Sequence, residues 1–342
     1  MPSNHTQQLI NGKYQNTEIS YQTGLADFWR ITKAYLTQKR DAPSPTQAIP
    51  VTSLTKQQLM SEQHDAVYRL GHSTILMRID NAFLLLDPVF SERASPVQWA
   101  GPKRFHQSPI RLDELPPISA VIISHDHYDH LDKATIEYLA TQVDHFITPS
   151  KVGEHLIHWG VAPERITELS WWQSVNIGSI KLTATPAQHF SGRGLFDRDQ
   201  TLWASWVIAG QQHKVFFSGD GGYFSGFKTI GERFGPFDLT LIETGAYNEL
   251  WLDIHMMPQQ SLQAHIDLNG KAMLPIHNGT FDLALHDWFE PFEQISQLAA
   301  VHQITLLTPV FGEEVIIGHS TITRPWWKPF SQQQPDLHIA TE

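Results

Sequence analysis

Ser124-His125-Asp126-His127-Tyr128-Asp129-His130-Leu131-Asp132 is the stretch on which the reading of this chain turns. Three histidines and three carboxylates fall within the eight residues from His125 to Asp132. The run before it, Ala120-Val121-Ile122-Ile123, is short, apolar and rich in β-branched residues. Such a run reads as a buried strand that ends where the polar cluster begins. Imidazole and carboxylate together suit Zn2+, Mn2+ or Fe2+. In the pattern H-x-H-x-D-H, His125 and His127 are two apart and can converge on one ion. Asp129 and His130 are adjacent and can turn to a second. A solvated His-rich loop has the same composition, but a strand feeding straight into the cluster is the context a metal motif needs.

The 342 residues are 41% hydrophobic, enough to bury the core of one large domain or two. Lys and Arg number 24 against 35 Asp and Glu, a net charge of -11. That balance argues against a nucleic-acid surface while allowing a local basic pocket for an anionic substrate. There is no cysteine, hence no disulfide framework and no thiolate site. Any ion must be held by His, Asp or Glu. The first residues, Met1-Pro2-Ser3-Asn4-His5-Thr6-Gln7, lack the basic-then-apolar pattern of a signal peptide. No run approaches the ~18 apolar residues of a membrane-spanning helix. The expected location is cytoplasmic, with peripheral contact at a membrane left open, and a homodimer is compatible with all of this.

Residues 1–65 are polar and mixed. They read as an extension wrapping the main domain or as a partly disordered arm, with a short amphipathic helix expected over Asp27–Leu36. From Ala66 the texture changes to short apolar runs: Val67–Leu70, Ile75–Ile79 and Phe83–Leu86, with Asp80-Asn81 suited to a tight hairpin turn. Phe90–Pro117 is a long loop carrying Arg93, Lys103, Arg104 and Arg111. Further strands are expected at Phe146–Pro149, at Ile180–Ala184 running into His189, and at Leu202–Ile208. Others are expected at Lys214–Phe217, Leu239–Ile242, Ala272–Ile276, near Ile304–Leu307 and near Val315–Ile317. Helices are expected over Ala134–Val143, Val152–Trp159, Gln259–Leu268 and Trp288–Val301, before a polar, Pro-rich tail from Pro325.

Four strand ends thus carry metal-type residues: His125/His127/Asp129/His130, His189, Asp220 and His277. Ligands on successive strand ends converge at one edge of a sheet, where α/β proteins place their sites. A lone His such as His189 is by itself more often a satisfied, hydrogen-bonded residue than a ligand.

With these residues in view, the sequence resembles the metallo-β-lactamase superfamily, and within it the N-acyl-phosphatidylethanolamine phospholipase D family, over about Val67–Glu313. The closer resemblance rests on Leu70-Gly71-His72-Ser73-Thr74, Asp87-Pro88-Val89-Phe90-Ser91-Glu92-Arg93, Gly101-Pro102-Lys103-Arg104-Phe105, Gly245-Ala246-Tyr247 and Ile276-His277-Asn278-Gly279-Thr280-Phe281. The resemblance implies an αββα sandwich with two metals at one edge. Residues 1–65 would pack on or flank a hydrolase domain at 66–320, and 321–342 would be a polar tail. His125, His127 and His189 would bind one zinc, and Asp129, His130 and His277 the other, with Asp220 bridging. Asp129 and Asp220 would serve catalysis through a hydroxide held between the ions. Asp87 would orient a ligating imidazole or fix the loop, or else simply cap its strand. His72 and His255 match positions near the site, beneath the metals or against substrate. One departure stands out: Gly221 in Ser218-Gly219-Asp220-Gly221-Gly222 occupies a position where the family usually has Thr.

Two divalent ions roughly 3.5–4 Å apart suit in-line attack on phosphorus. The resemblance to the phospholipase D family implies a phosphodiesterase of that type, acting on phospholipids or related small-molecule phosphodiesters. The alternative is a lactonase similar to the ascorbate-6-phosphate lactonase branch. Arg93, Lys103, Arg104, Arg193 and Arg198 are expected on loops that could attract phosphate, and Trp99, Phe105, Phe190, Leu195, Phe196 and Trp251 could offer a lipid an apolar approach.

Overall fold

The computed structural model describes residues 9–19, 25–319 and 324–331. The opening residues read for a leader and the tail beyond 331 lie outside this set. The elements, in order, are α1 (Leu25–Thr37), α2 (Lys56–Ser61), β1 (Ala66–Arg69), β2 (Ile75–Ile79), β3 (Ala82–Leu86) and β4 (Ile118–Ile122). Then come α3 (Lys133–Leu139), β5 (Phe146–Pro149), α4 (Gly153–His158), β6 (Ile166–Leu169), β7 (Ser174–Ile177) and β8 (Ile180–Thr185). The second half holds β9 (Ser205–Ala209), β10 (Lys214–Phe217), α5 (Gly226–Phe234), β11 (Leu239–Glu243) and α6 (Pro258–Asp267). It ends with β12 (Ala272–Ile276), α7 (Glu290–His302), β13 (Thr305–Leu306), β14 (Glu314–Ile316) and the short α8 (Lys328–Ser331).

Two seven-stranded sheets form, β14-β1-β2-β3-β4-β5-β6 and β13-β12-β11-β10-β9-β8-β7. Strand side chains alternate between faces, and both faces are covered. In β2, Ile75, Met77 and Ile79 join the core between the sheets, while Leu76 joins the core under α2, α3 and α4. In β8, Ile180, Leu182 and Ala184 face the same inter-sheet core. The outer face of the second sheet packs Phe216, Ile242 and Met273 under α5, α6 and α7. Burial on both faces explains the continuous apolar runs. The architecture is the expected αββα sandwich.

The hairpin between β2 and β3 turns at Asp80 and Asn81, whose φ of 48° and 63° are the paired left-handed values of a two-residue turn. β9 starts at Ser205 rather than Leu202, because the amides of Leu202 and Ala204 donate to Ser150 O and Ser124 O across the sandwich instead of pairing in their own sheet. β3, β4, β5 and β6 run parallel, as do β10, β11 and β12. β8 shares the direction of β10, since both are antiparallel to β9. The chain segments that follow β3, β4, β8, β10 and β12 therefore emerge at one edge.

Residues 10–16 and 42–51 run over the sandwich: Tyr14 enters the inter-sheet core, and Ala42 and Ile49 join a cluster with Trp288, Phe292 and Phe311. That cluster corrects the expectation of a polar tail for residues 324–331. Trp326 and Trp327 are buried in it, with Trp327 stacked on Phe292 at 5.0 Å and its Nε1 donating to Glu293 Oε1 at 2.9 Å. Composition counted along the tail misses this, because the pocket that receives the indoles comes from distant segments. Trp327→Ala should cost about 3–5 kcal/mol, as for other buried Trp truncations. Urea unfolding checks this, and a loss under about 1 kcal/mol would show the indole to be peripheral.

Candidate metal centre

The seven sequence-chosen ligand residues come together at the common edge in two groups. In the first, His127 Nδ1 lies 2.9 Å from His125 Nε2 and 3.2 Å from His189 Nε2. In the second, Asp129 Oδ2 lies 3.2 Å from His277 Nε2 and 3.5 Å from His130 Nε2. Asp220 Oδ2 stands between them, 2.8 Å from His277 Nε2, 3.0 Å from His130 Nε2, 3.9 Å from His125 Nε2 and 4.0 Å from His189 Nε2.

Several of these residues are held from behind. Asp87, at the end of β3, accepts from Ser124 N at 2.7 Å and Ser124 Oγ at 2.6 Å, and its Oδ2 lies 2.7 Å from His130 Nδ1. It therefore fixes both the loop and the His130 ring, so that Nε2 faces the centre. His125 Nδ1 is 2.9 Å from Ser124 Oγ. His189 Nδ1 is 3.0 Å from Ile254 O, and Asn16 holds the backbone of His189 with bonds of 2.8 Å and 3.0 Å. Asp126, inside the motif, accepts from Gly192 N and Thr201 Oγ1, both at 2.8 Å, and so ties the loop after His189 to the motif. His277 sits at φ 64°, a left-handed conformation costly for a non-glycine residue. Its N–H donates to His72 O at 3.0 Å. The next residue, Asn278, donates to Thr244 O at 3.0 Å and accepts from the buried guanidinium of Arg69 at 2.8 Å.

The two groups differ electrostatically. Burial and neighbouring imidazoles hold His125 and His189 well below the usual histidine range, and burial lowers His127. Three rings on which burial disfavours charge thus turn nitrogens on one another, an arrangement that suits a cation. In the second group, burial alone would raise Asp129 and Asp220, but His130 and His277 pull both carboxyls well below the usual range. Burial would lower His277, but Asp220 and Asp129 raise it to about 10. Asp220 Oδ1 is buried without a hydrogen-bond partner among the described residues. The donor set, all imidazole nitrogen and carboxylate oxygen, suits a borderline divalent ion at each group.

His72 and His255 also reach the centre. His72 Nε2 lies 3.2 Å from Asp129 Oδ2, and burial lowers its pKa to about 3. His255 stacks on His277 at 5.3 Å and lines the cleft over the two candidate ligand groups. That cleft encloses about 270 Å³. His127, Asp129, Asp220, His255 and His277 form its floor, and Ile31, Tyr35, Phe190, Trp251 and Leu283 form an apolar wall. Tyr35 and Ile31 come from α1, where Tyr35 stacks on Trp251 at 6.3 Å and donates to Leu283 O at 3.1 Å. The sequence offered an amphipathic helix here but not its destination.

The basic loops differ from expectation. No Lys or Arg lines the cleft among the described residues. Arg193 donates to Asp126 O and Leu131 O and lies over Tyr128. Arg104 is half-buried over Phe281, Arg198 lies over Phe190, Arg93 bonds within its own loop, and Lys103 pairs with Glu92. Their charges are spent on carbonyls, carboxylates and rings nearby. Of the six apolar loop residues, Phe190 and Trp251 line the cleft, Phe105 packs against the Trp326 cluster, and Trp99, Leu195 and Phe196 are exposed.

A family model, the beta-lactamase superfamily domain, matches residues 83–278. This chain belongs to the metallo-β-lactamase superfamily. A protein of Mycobacterium tuberculosis is 46% identical over 267 residues, 77% of this chain and 72% of that protein. The N-acyl-phosphatidylethanolamine-hydrolyzing phospholipase D 1 of Caenorhabditis elegans is 33% identical over 264 residues, 73% of this chain and 74% of that protein. Igni18, a metallo hydrolase of Ignicoccus hospitalis, shares the fold with a TM-score of 0.56 at 20% identity, covering 74% of this chain and 98% of that one. The protein is a metal-dependent hydrolase of this superfamily.

Asp220→Asn removes the charge that both groups approach, so activity should fall by roughly 100-fold or more while the fold persists. Near-normal turnover in a folded variant would reduce Asp220 to a turn residue. Asp126→Ala should loosen the loop after His189 and lower metal affinity roughly 10–100-fold, as removing a supporting contact does. Competition with a fluorescent zinc chelator measures this, and an unchanged affinity would contradict the role given to Asp126.

Proposed function

We propose that this metallo-β-lactamase-fold hydrolase is a zinc-dependent phosphodiesterase of phospholipase D type, acting on N-acyl-phosphatidylethanolamine-like phospholipids or related phosphodiesters. The observation that carries the reading is the placement of Asp220 between two separate ligand groups at the floor of an apolar-walled cleft. The 33% identical Caenorhabditis elegans relative, named for hydrolysis of that lipid, supports it. His125, His127 and His189 would hold one ion and Asp129, His130 and His277 the other, with Asp220 shared. Bound divalent ions supply Lewis acidity and a water acidic enough to ionise near neutral pH. The chain's own residues then orient and exclude. Asp87 and Ser124 keep the ligand rings aimed. The wall of Phe190, Trp251, Tyr35 and Ile31 limits water and offers apolar surface to acyl chains. Because no cationic side chain lines the cleft among the described residues, the phosphate would be recognised by the metals rather than by Arg or Lys.

No helix among the described residues is long and apolar enough to cross a membrane. A peripheral approach fits the exposed side chains beside the cleft: Trp29 and Leu36 on α1, and Leu195 and Phe196 on the loop that carries Phe190. The metal-loaded enzyme is to be assayed against bis-p-nitrophenyl phosphate, N-acyl-phosphatidylethanolamine in micelles, a lactone panel and β-lactams. The expected result is turnover of both phosphodiesters and no efficient β-lactam hydrolysis. Lactone turnover without phosphodiester turnover would promote the lactonase. Activity on the soluble phosphodiester alone would keep the chemistry and discard the phospholipase.

A further inference from the structure

We propose that Glu243 is a positioning residue that holds the His255 ring so that Nε2 faces the cleft and meets the substrate. The proposal rests on the hydrolase reading only in taking this cleft as the substrate site. Glu243 ends β11, is fully buried, and belongs to neither ligand group. A buried carboxylate is costly unless its oxygens are engaged. Both are engaged here. Oε2 accepts the Gly221 N–H at 2.6 Å, and Oε1 is hydrogen-bonded to His255 Nδ1. The backbone is pinned as well: Glu243 N–H donates to Ser218 Oγ at 2.9 Å, and its carbonyl accepts from Ser261 Oγ at 2.7 Å.

Gly221 explains part of the arrangement. A Cβ there would lie 3.1 Å from Gln188 O and 3.2 Å from Gln188 N, so the bare backbone passes close to Gln188 while its N–H reaches Glu243. The residue that departs from the family's usual Thr is thus the one whose amide fills the second oxygen of this carboxylate. Glu243 Oε1 is 3.9 Å from His277 Nδ1, too far for a hydrogen bond. The carboxylate therefore serves His255 rather than the ligand next to it. His255 is wedged between the rings of His277 and His189, each at 5.3 Å, which leaves the ring little freedom. With Nδ1 taken by Glu243, Nε2 is the nitrogen left for the cleft. Whichever partner carries the proton they share, the orientation is the same. Since no Lys or Arg lines the cleft among the described residues, this imidazole is a polar contact for substrate atoms lying off the metals. It fits a substrate with an oxygen or N–H group beside the metal-bound group.

The test compares Glu243→Ala, Glu243→Gln, His255→Ala and the double Glu243→Ala/His255→Ala variant as metal-loaded full chains. Readouts are kinetics on bis-p-nitrophenyl phosphate, metal per chain by elemental analysis, and imidazole 15N signals, with those of His255 assigned by their loss in His255→Ala. Glu243→Ala should lower kcat/KM roughly 10–100-fold at unchanged metal content. The double variant should be no worse than His255→Ala, because one residue acts through the other. Glu243→Gln keeps the shape and should recover part of the activity, while the His255 15N signals shift with the changed partner. Multiplicative losses in the double variant would overturn the proposal. Loss of an ion from Glu243→Ala would overturn it too, by making Glu243 a support of the metal ligands. The 15N readout stands even if the wild type cleaves none of the substrates or the Ala variant fails to fold: unshifted His255 signals in Glu243→Gln would then refute the coupling.

Discussion

The structure depends on a local electrostatic conflict at the edge of the sandwich. His125, His127 and His189 turn nitrogens on one another at 2.9–3.2 Å while burial disfavours charge on the rings. Asp220 Oδ1 and His277 Nδ1 are buried without a hydrogen-bond partner among the described residues, and each such atom costs about 1–3 kcal/mol. A divalent cation removes the conflict, and Asp220, within 4.0 Å of ligand nitrogens from both groups, is the carboxylate that would be shared. The surrounding chain serves to keep these atoms from relaxing apart. Asp87 is held at φ 40° and His277 at φ 64°, two non-glycine residues in the left-handed region directly behind the centre. Such conformations persist only where their surroundings over-determine them. The Ser124–Asp87 bonds and the Arg69–Asn278 contact provide that here.

Above this floor the chemistry changes from charged to apolar. The basic side chains near the site are engaged by neighbouring carbonyls and rings, and the cleft wall is made of Phe190, Trp251, Leu283 and the α1 residues Ile31 and Tyr35. The wall includes α1, which lies outside residues 83–278 matched by the family model.

Much of the fold was legible because sandwich strands announce themselves. β5, β10 and β12 fall on the expected residues, since short runs bounded by turn or ligand residues leave little choice of limits. β6 and β7 were missed: both are sheet edges, with polar, partly exposed residues such as Glu168 and Asn176. α5 was missed because Gly226 and Gly231 dilute its helical signal. The seven residues that gather at the edge were legible from strand ends and from the family resemblance. Their supports were less so. Asp126 hides in the motif as a spacer, Asn16 acts across 173 residues, and Glu243 reads as the mere end of a strand. These roles are set by long-range contacts, which periodicity and spacing do not encode. The buried Trp326 and Trp327 fail for the same reason.

Anomalous diffraction at the metal edge, on crystals of protein purified without chelator, reads out whether two cations are held on either side of Asp220. The expected result is two peaks per chain, roughly 3.5–4 Å apart. One would face His125 Nε2, His127 Nδ1 and His189 Nε2, and the other Asp129, His130 and His277, with Asp220 contacting both. A single peak, or none, in crystals of active protein would contradict it.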